Sequence, residues 1–223
     1  ESVYFSKRPQ DTTRGIATLD VERGVVDSIW PRPFQTDTCI GDWHYKRGVQ
    51  YKSPKIVIDL LVDIVSRNGN LLLNFPLPAS GQLDLEERNV LAGITQWMSI
   101  NAEAIHGTRP WKIFGDGPAT AKPDAGEGSS FNEKSRKELT AADVRFTSKG
   151  DVLYAFVMGW AEYQAVIAPL ATGTALRVGK VQRVELLGFE GPLQWTQNEA
   201  GLKVVLPPKR PSEYAVVFKI VGA

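Results

Sequence analysis

The spacing of apolar and polar positions changes several times along this chain. Residues 2–5 and 15–19 are short β-prone runs, the second reading Gly-Ile-Ala-Thr-Leu, and the Pro, Asp and Thr between them predict a turn joining two strands. From Val25 to Gly48 regular spacing fades into a loop-rich stretch that holds Trp30 and Trp43. Aromatic residues on loops serve as ligand contacts or as buried anchors, and both roles stay open here. Ser53-Pro54 then opens a helix, with Ser as N-cap and Pro at the first helical position, and Ile56, Leu60, Leu61 and Ile64 repeat at helical spacing until Asn68-Gly69. Asn70 to Phe75 is a continuous apolar run, the pattern of a parallel strand buried on both faces. Leu91, Ile94, Met98 and Ile105 predict a second helix over 85–105, with Gly107 past its end.

Helix, buried strand, helix is the repeat of an α/β architecture. The texture changes after Trp111. Residues 115–137 are rich in Gly, Pro, Ser and charge, which predicts a long loop or linker. Beyond it lie short β-branched or aromatic runs at 143–147, 152–158, 165–167, 181–187, 202–206 and 214–220, spaced by turn residues and with no convincing helix among them. That half predicts an antiparallel β-sandwich. The expected fold is α/β followed by all-β, with domains at 1–110 and 111–223.

Composition narrows the function classes. The chain of 223 residues is 43% hydrophobic and 23% charged, enough for one large domain or two modest ones with real cores. Its 26 lysines and arginines nearly balance 25 aspartates and glutamates, so no global field favours nucleic acid or an anionic membrane. The longest apolar runs fall far short of the roughly 20 residues of a membrane helix, so no membrane insertion is expected. One cysteine, Cys39, excludes an internal disulfide, and with His44 and His106 it offers too few soft ligands for structural zinc; no metal and no cofactor are expected. The chain begins Glu-Ser-Val-Tyr-Phe, without Met or a charged-then-apolar leader, which suggests a processed or cut start.

Asp20 and Glu22 form the sharpest candidate pair. At i and i+2 on a strand they share one face, and carboxylates grouped at a strand end support acid/base chemistry. The competing role is a solvated edge with Glu22 paired to Arg23. Gln35, Asp37 and Asp42 could hold sugar hydroxyls, or the two aspartates could serve turns and caps. Cys39 and His44 are a weak candidate for a nucleophile pair. Residues alone do not name a substrate.

Three segments carry a resemblance. Tyr45-Lys-Arg-Gly48 with Ser53-Pro-Lys, Leu60-Leu-Val-Asp-Ile-Val-Ser-Arg-Asn-Gly-Asn-Leu-Leu-Leu-Asn74, and Asn101-Ala-Glu-Ala-Ile-His-Gly-Thr-Arg-Pro-Trp111 resemble, in wording and order, the α-L-fucosidases of glycoside hydrolase family 29. The resemblance implies that residues 1–110 are the C-terminal part of a (β/α)8-like catalytic barrel and that residues 111–223 are the family's β-sandwich. It also implies hydrolysis of terminal α-L-fucosides with retention, through an Asp nucleophile and a carboxylic acid/base about 5–5.5 Å apart. The nucleophile of such enzymes lies in a Trp-x-Asp-like setting that has no match here, so it is expected upstream of Glu1, in the remaining N-terminal part of the barrel. This chain alone is then expected to be inactive.

Many relatives carry the acid/base Glu where Phe34-Gln35-Thr36 stands here, and a glutamine cannot exchange a catalytic proton. Other relatives place it in an upstream segment that Asp20-Val-Glu22-Arg23-Gly24 resembles, so the resemblance assigns general acid/base to Glu22. It further implies substrate contacts for Trp43, as an aromatic wall for the apolar side of fucose, and for Lys7, Gln35, Asp37 and His44. The implied partners are fucosylated glycans or glycoconjugates, and the implied location is extracytoplasmic. A second possibility is a non-catalytic carbohydrate-binding or structural module derived from a fucosidase.

Overall fold

The computed structural model describes residues 3–120, 130–176 and 178–223. Residue 2 of the first predicted strand and residues 121–129 of the predicted loop lie outside the described residues. The chain divides into two compact units, Glu1–Gln96 with Lys122–Arg136 and Trp97–Ala121 with Lys137–Ala223.

In the first unit four parallel strands lie in sequence order: β1 (Phe5–Ser6), β2 (Thr18–Glu22), β3 (Phe34–Cys39) and β4 (Gly69–Asn74). Helices α1 (Pro9–Thr13) and α2 (Pro54–Ser66) make two of the crossovers, and α3 (Leu85–Asn101) follows β4. Each strand beside its predecessor is the winding order of a (β/α)8 barrel.

Several sequence expectations need correction. The stretch read as a turn holds α1, started by Pro9, whose fixed φ suits a first helical turn. The second strand starts three residues later than expected, because Ile16 is 58% exposed and core contact begins at Leu19. The stretch 25–48 contains β3, whose Phe34, Thr36 and Thr38 are buried while Gln35 and Asp37 are only partly so. Its polar composition hid a two-residue alternation. Finally, β4 is not buried on both faces: Leu72 is 54% exposed.

Helix α2 begins where expected. The Ser53 side chain accepts a hydrogen bond from the Ile56 amide at 3.3 Å, with Pro54 beside it. Its buried face is Val57, Ile58, Val62, Asp63 and Ile64, whereas Ile56 is exposed and Leu60 and Leu61 are half-buried, a rotation from the expected face. Asp63 sits in that face because Arg67 and Arg136 both pair with it. Asn68 (φ 80°) ends the helix, and Gly69 must stay small, since a Cβ there would meet Phe34 and Ile64 at 2.5 and 2.6 Å. Leu19, Val21, Val25, Val26, Phe34 and Ile64 form the core under β2 and β3, each large side chain contributing about 1.5–3 kcal/mol by leaving water. A capping box starts α3: the Asp84 amide donates to Glu87 and the Glu87 amide to Asp84, both at 2.8 Å.

The second unit is a sandwich of two antiparallel sheets. The larger contains β5 (Arg109–Asp116), β6 (Val144–Lys149), β7 (Val152–Val157), β9 (Arg183–Leu186) and β12 (Val216–Val221), in the order β5-β6-β7-β12-β9. The smaller, β10-β11-β8, contains β8 (Gln164–Ile167), β10 (Trp195–Asn198) and β11 (Gly201–Val205). One core joins them, with Phe146, Ala155 and Phe218 from the larger sheet against Ile167, Leu202 and Val204 from the smaller. Strands β5 and β10 were not foreseen. The only helical elements after β5 among the described residues are 3-10 turns at Pro118–Thr120 and Ala168–Leu170. Among those residues no helix is long and apolar enough to cross a membrane.

Candidate active site

Parallel α/β sheets place their ligands at the carboxyl ends of the strands. There the first unit gathers its charge. Register pairs Asp20 with Gln35 and Glu22 with Asp37, so the two-residue repeat of each strand brings all four side chains to one face. Lys7, just past β1, reaches into the group. Its Nζ lies 3.0 Å from Asp20 Oδ2, 3.3 Å from Glu22 Oε2 and 3.1 Å from Asp37 Oδ1. Gln35 Nε2 donates to Asp20 Oδ1 at 3.2 Å.

The electrostatics follow from three carboxyl groups around one ammonium. Burial pushes the Asp37 carboxyl above its ordinary range; the Lys7 hydrogen bond opposes this, and the charges of Asp20 and Glu22 add to it. For Lys7, partial burial acts downward, but hydrogen bonds and charge from Asp20 and Asp37 outweigh it and hold the ammonium above the ordinary lysine value. Three carboxyl groups gathered on one ammonium make this face acid-rich, which suits a substrate that gains positive charge in its transition state.

Of the residues singled out by sequence, Lys7, Asp20, Glu22, Gln35 and Asp37 therefore come together. Glu22 pairs with Lys7, while Arg23 turns to a different acid. Asp42 accepts from the Trp43 amide at 2.8 Å, a local turn bond. Trp43 is half-buried and sits under the Arg23 guanidinium, whose Cζ lies 5.4 Å from the ring centroid. His44 is exposed, and no hydrogen bond or ion pair among the described residues joins it to the cluster. Cys39 is buried, taking a hydrogen bond from Arg23 at 2.9 Å and facing the Gly41 carbonyl at 3.1 Å, so it makes no pair with His44.

Sequence inspection missed Arg23 and Glu133. Arg23, just past β2, lies in the left-handed region (φ 46°), a conformation costing a non-glycine residue roughly 1–2 kcal/mol. The segment 131–133 supports it: the Phe131 amide donates to Glu22 O at 2.7 Å and the Glu133 amide to Arg23 O at 3.0 Å. Asn132 bonds both the amide and the carbonyl of Val25 at 3.0 Å. Nothing local in the sequence marks Glu133, because its partner Arg23 lies more than a hundred positions away, and the tie of Arg23 to Trp43 depends on how the loop after β3 folds back.

A cavity of about 430 Å³ in this unit, lined by Tyr4, Thr12, Ala17, Thr18 and Arg32, lies by the opposite end of β2 from Glu22. Converging charge marks the site. No group of three or more His, Cys, Asp or Glu side chains among the described residues could hold a metal ion.

Comparison with known proteins gives a consistent result. The model of the alpha-L-fucosidase family matches residues 4–103, and that of the alpha-L-fucosidase C-terminal domain matches residues 136–221. A tissue alpha-L-fucosidase from Bos taurus is 29% identical over 191 residues, covering 81% of this chain and 34% of the relative. A plasma alpha-L-fucosidase from Rattus norvegicus is 27% identical over 185 residues, covering 78% and 35%. The chain thus spans about a third of the length of the curated relatives it matches. Among solved structures, alpha-L-fucosidase isoenzyme 1 from Paenibacillus thiaminolyticus superposes with a TM-score of 0.67 at 22% identity, over 92% of this chain and 45% of that one, which supports the fold.

Proposed function

We propose, from the premise that this chain belongs to the α-L-fucosidase family, that it contributes the acid/base side of an enzyme hydrolysing terminal α-L-fucosides with retention. The observation carrying this is the Lys7-centred carboxylate group at the ends of adjacent parallel strands. Glu22 is the general acid that protonates the leaving oxygen, then the base that activates water. Lys7, Asp37 and Gln35 orient Glu22 and the sugar hydroxyls, Trp43 faces the apolar side of the ring, and His44 stands at the pocket rim. The nucleophile comes from the remaining part of the barrel, whose strands also cover half-exposed apolar groups such as Leu72 on β4. The barrel portion is assigned to residues 1–110 and the sandwich to 111–223, supported by the interval between the two family matches, with the segment around Glu133 returning to pack on the barrel portion. Fucosylated glycans or glycoconjugates are the substrates, and the plasma relative supports an extracytoplasmic place of action.

In the full-length enzyme, Glu22→Gln is expected to slow fucosides with poor leaving groups by about 100-fold or more while sparing activated aryl fucosides, whose departure needs little acid help. Steady-state kinetics on both substrates check this. Equal losses on the two would remove Glu22 from the role. A non-catalytic binding module is the second reading, favoured by the pairing of all three carboxyls with Lys7; a wild-type enzyme that binds L-fucose without turning over any fucoside would establish it instead.

A further inference from the structure

We propose that Glu133 is a positioning residue for the sugar-binding wall: its carboxylate fixes the Arg23 guanidinium, and Arg23 fixes the indole of Trp43. The proposal rests on the reading above, since it takes Trp43 as a contact for fucose.

Glu133 is separated from β2 by more than a hundred residues, yet its side chain is only 5% exposed at the end of that strand. Oε2 accepts from Thr38 Oγ1 at 2.8 Å. Oε1 lies 3.1 Å from Lys52 Nζ and 3.6 Å from Arg23 Nε. A single carboxylate thus faces two cations away from water, where an ion pair resists rearrangement far more than at the surface. The 3.6 Å separation is an ion-pair distance, and the Arg23 side chain donates its hydrogen bonds through Nη2, to Cys39 Sγ at 2.9 Å and the Gly41 carbonyl at 3.1 Å. The Glu133 amide also holds the Arg23 carbonyl, so one residue secures both the left-handed backbone and the side chain of Arg23.

Arg23 then presents its guanidinium to Trp43. Cation–π attraction holds an aromatic ring when the cation cannot move away into solvent. The backbone of Trp43 is tethered by Asn74, which donates to its carbonyl at 3.2 Å, but the ring has Arg23 on one face. The other face is then held ready for the apolar side of a 6-deoxy sugar, and ordering the ring in advance removes that cost from binding. A platform of this kind holds substrate and transition state alike, so its loss appears in KM rather than kcat.

The test uses the full-length enzyme, an aryl α-L-fucoside and four variants: Glu133→Gln, Glu133→Asp, Arg23→Lys and the Glu133→Gln/Arg23→Lys double. Glu133→Gln is expected to raise KM about tenfold, equivalent to about 1.4 kcal/mol, with kcat lowered less than about threefold. Glu133→Asp, keeping the charge, should recover most of the loss. Arg23→Lys, keeping the charge but losing the planar stack, should raise KM as much as Glu133→Gln, and the double variant no further. A merely structural Glu133 would lower the melting temperature without moving KM, and that result overturns the proposal. So do losses that multiply in the double variant, or losses confined to kcat. Should Glu133→Gln fail to fold, a wild-type KM in Arg23→Lys overturns it alone. If the wild type turns over no fucoside, calorimetry with L-fucose takes the place of KM: weakened binding in Arg23→Lys and Glu133→Gln supports the proposal, unchanged binding overturns it, and a wild type that does not bind fucose overturns both it and the reading beneath it.

Discussion

Strands in the two units are filled in opposite ways. In the sandwich, the core between the sheets is apolar: Phe146 from β6, Ala155 from β7, Ile220 from β12 and Val204 from β11 meet in it, and the unit's buried charged side chains, Asp143 and Arg145, lie outside that cluster. In the parallel sheet, the strand ends carry Asp20, Glu22, Gln35 and Asp37 on one face, answered by a single lysine, while the opposite face keeps Val21, Phe34 and Leu19. One unit is organised by removing carbon from water. The other spends part of its interior on holding charges at fixed positions, which catalysis requires and stability does not reward.

The largest expected effect separates stability from function. Phe218→Ala empties a fully buried position of the sandwich and should cost about 3–5 kcal/mol in denaturant unfolding, if the protein still folds. KM for an aryl fucoside, measured where the variant remains folded, should stay at the wild-type value. A changed KM would show that the sandwich core is not energetically separate from the site.

Thr38→Val is the intermediate test, made in the first unit. The two side chains match in shape, but the substitution removes the hydroxyl that donates to Glu133 Oε2 in a nearly water-free setting. It should cost roughly 1–3 kcal/mol, the range for stranding a buried polar group. Unlike Phe218→Ala, it should also raise KM, through Glu133 and Arg23. A loss of stability with KM untouched would place Thr38 with the packing residues instead.

The same contrast explains what the sequence revealed. Most sandwich strands were legible because runs such as Val152–Val157 and Val216–Val221 are apolar and β-branched or aromatic, whereas β10 (Trp195–Asn198) reads as polar because its outward residues dominate. Strand β3 was hidden for a related reason: Phe-Gln-Thr-Asp-Thr-Cys buries two threonines through hydrogen bonds to the Gly24 carbonyl and to Glu133. Pattern analysis scores them as polar. For α2 the existence and cap were legible but the buried face was not, since Asp63 lies inward with two arginines that no helical periodicity foretells. At the site, Asp20 and Glu22 were visible by their spacing, Gln35 and Asp37 as polar loop residues and Lys7 through resemblance, but that one ammonium gathers three carboxyls depends on strand register. Glu133 could not be seen at all, because its meaning comes from contacts across the fold.

The smallest effect tests whether the charged face costs stability. The Asp37 carboxyl is held above its ordinary range in the folded protein, chiefly by burial and further by Asp20 and Glu22, with Lys7 opposing. A carboxyl with a raised folded pKa binds its proton more tightly in the folded than in the unfolded chain, so stability falls as pH rises from the ordinary aspartate value through the folded one. At neutral pH the ionised group is therefore a small net burden. Lys7 does not blur the comparison. Its own raised value means that its contribution is present throughout the acid and neutral range and is lost only as pH rises through its folded pKa, above the ordinary lysine value. Asp37→Asn should then melt about one to three degrees higher than wild type at neutral pH, with the gap closing as both are taken down through the carboxylate range, while turnover falls. Thermal melts across that range measure it. If the asparagine variant is instead the less stable at neutral pH, and the gap narrows in acid, the Lys7 pairing outweighs burial, and the charged face stabilises the fold it was argued to strain.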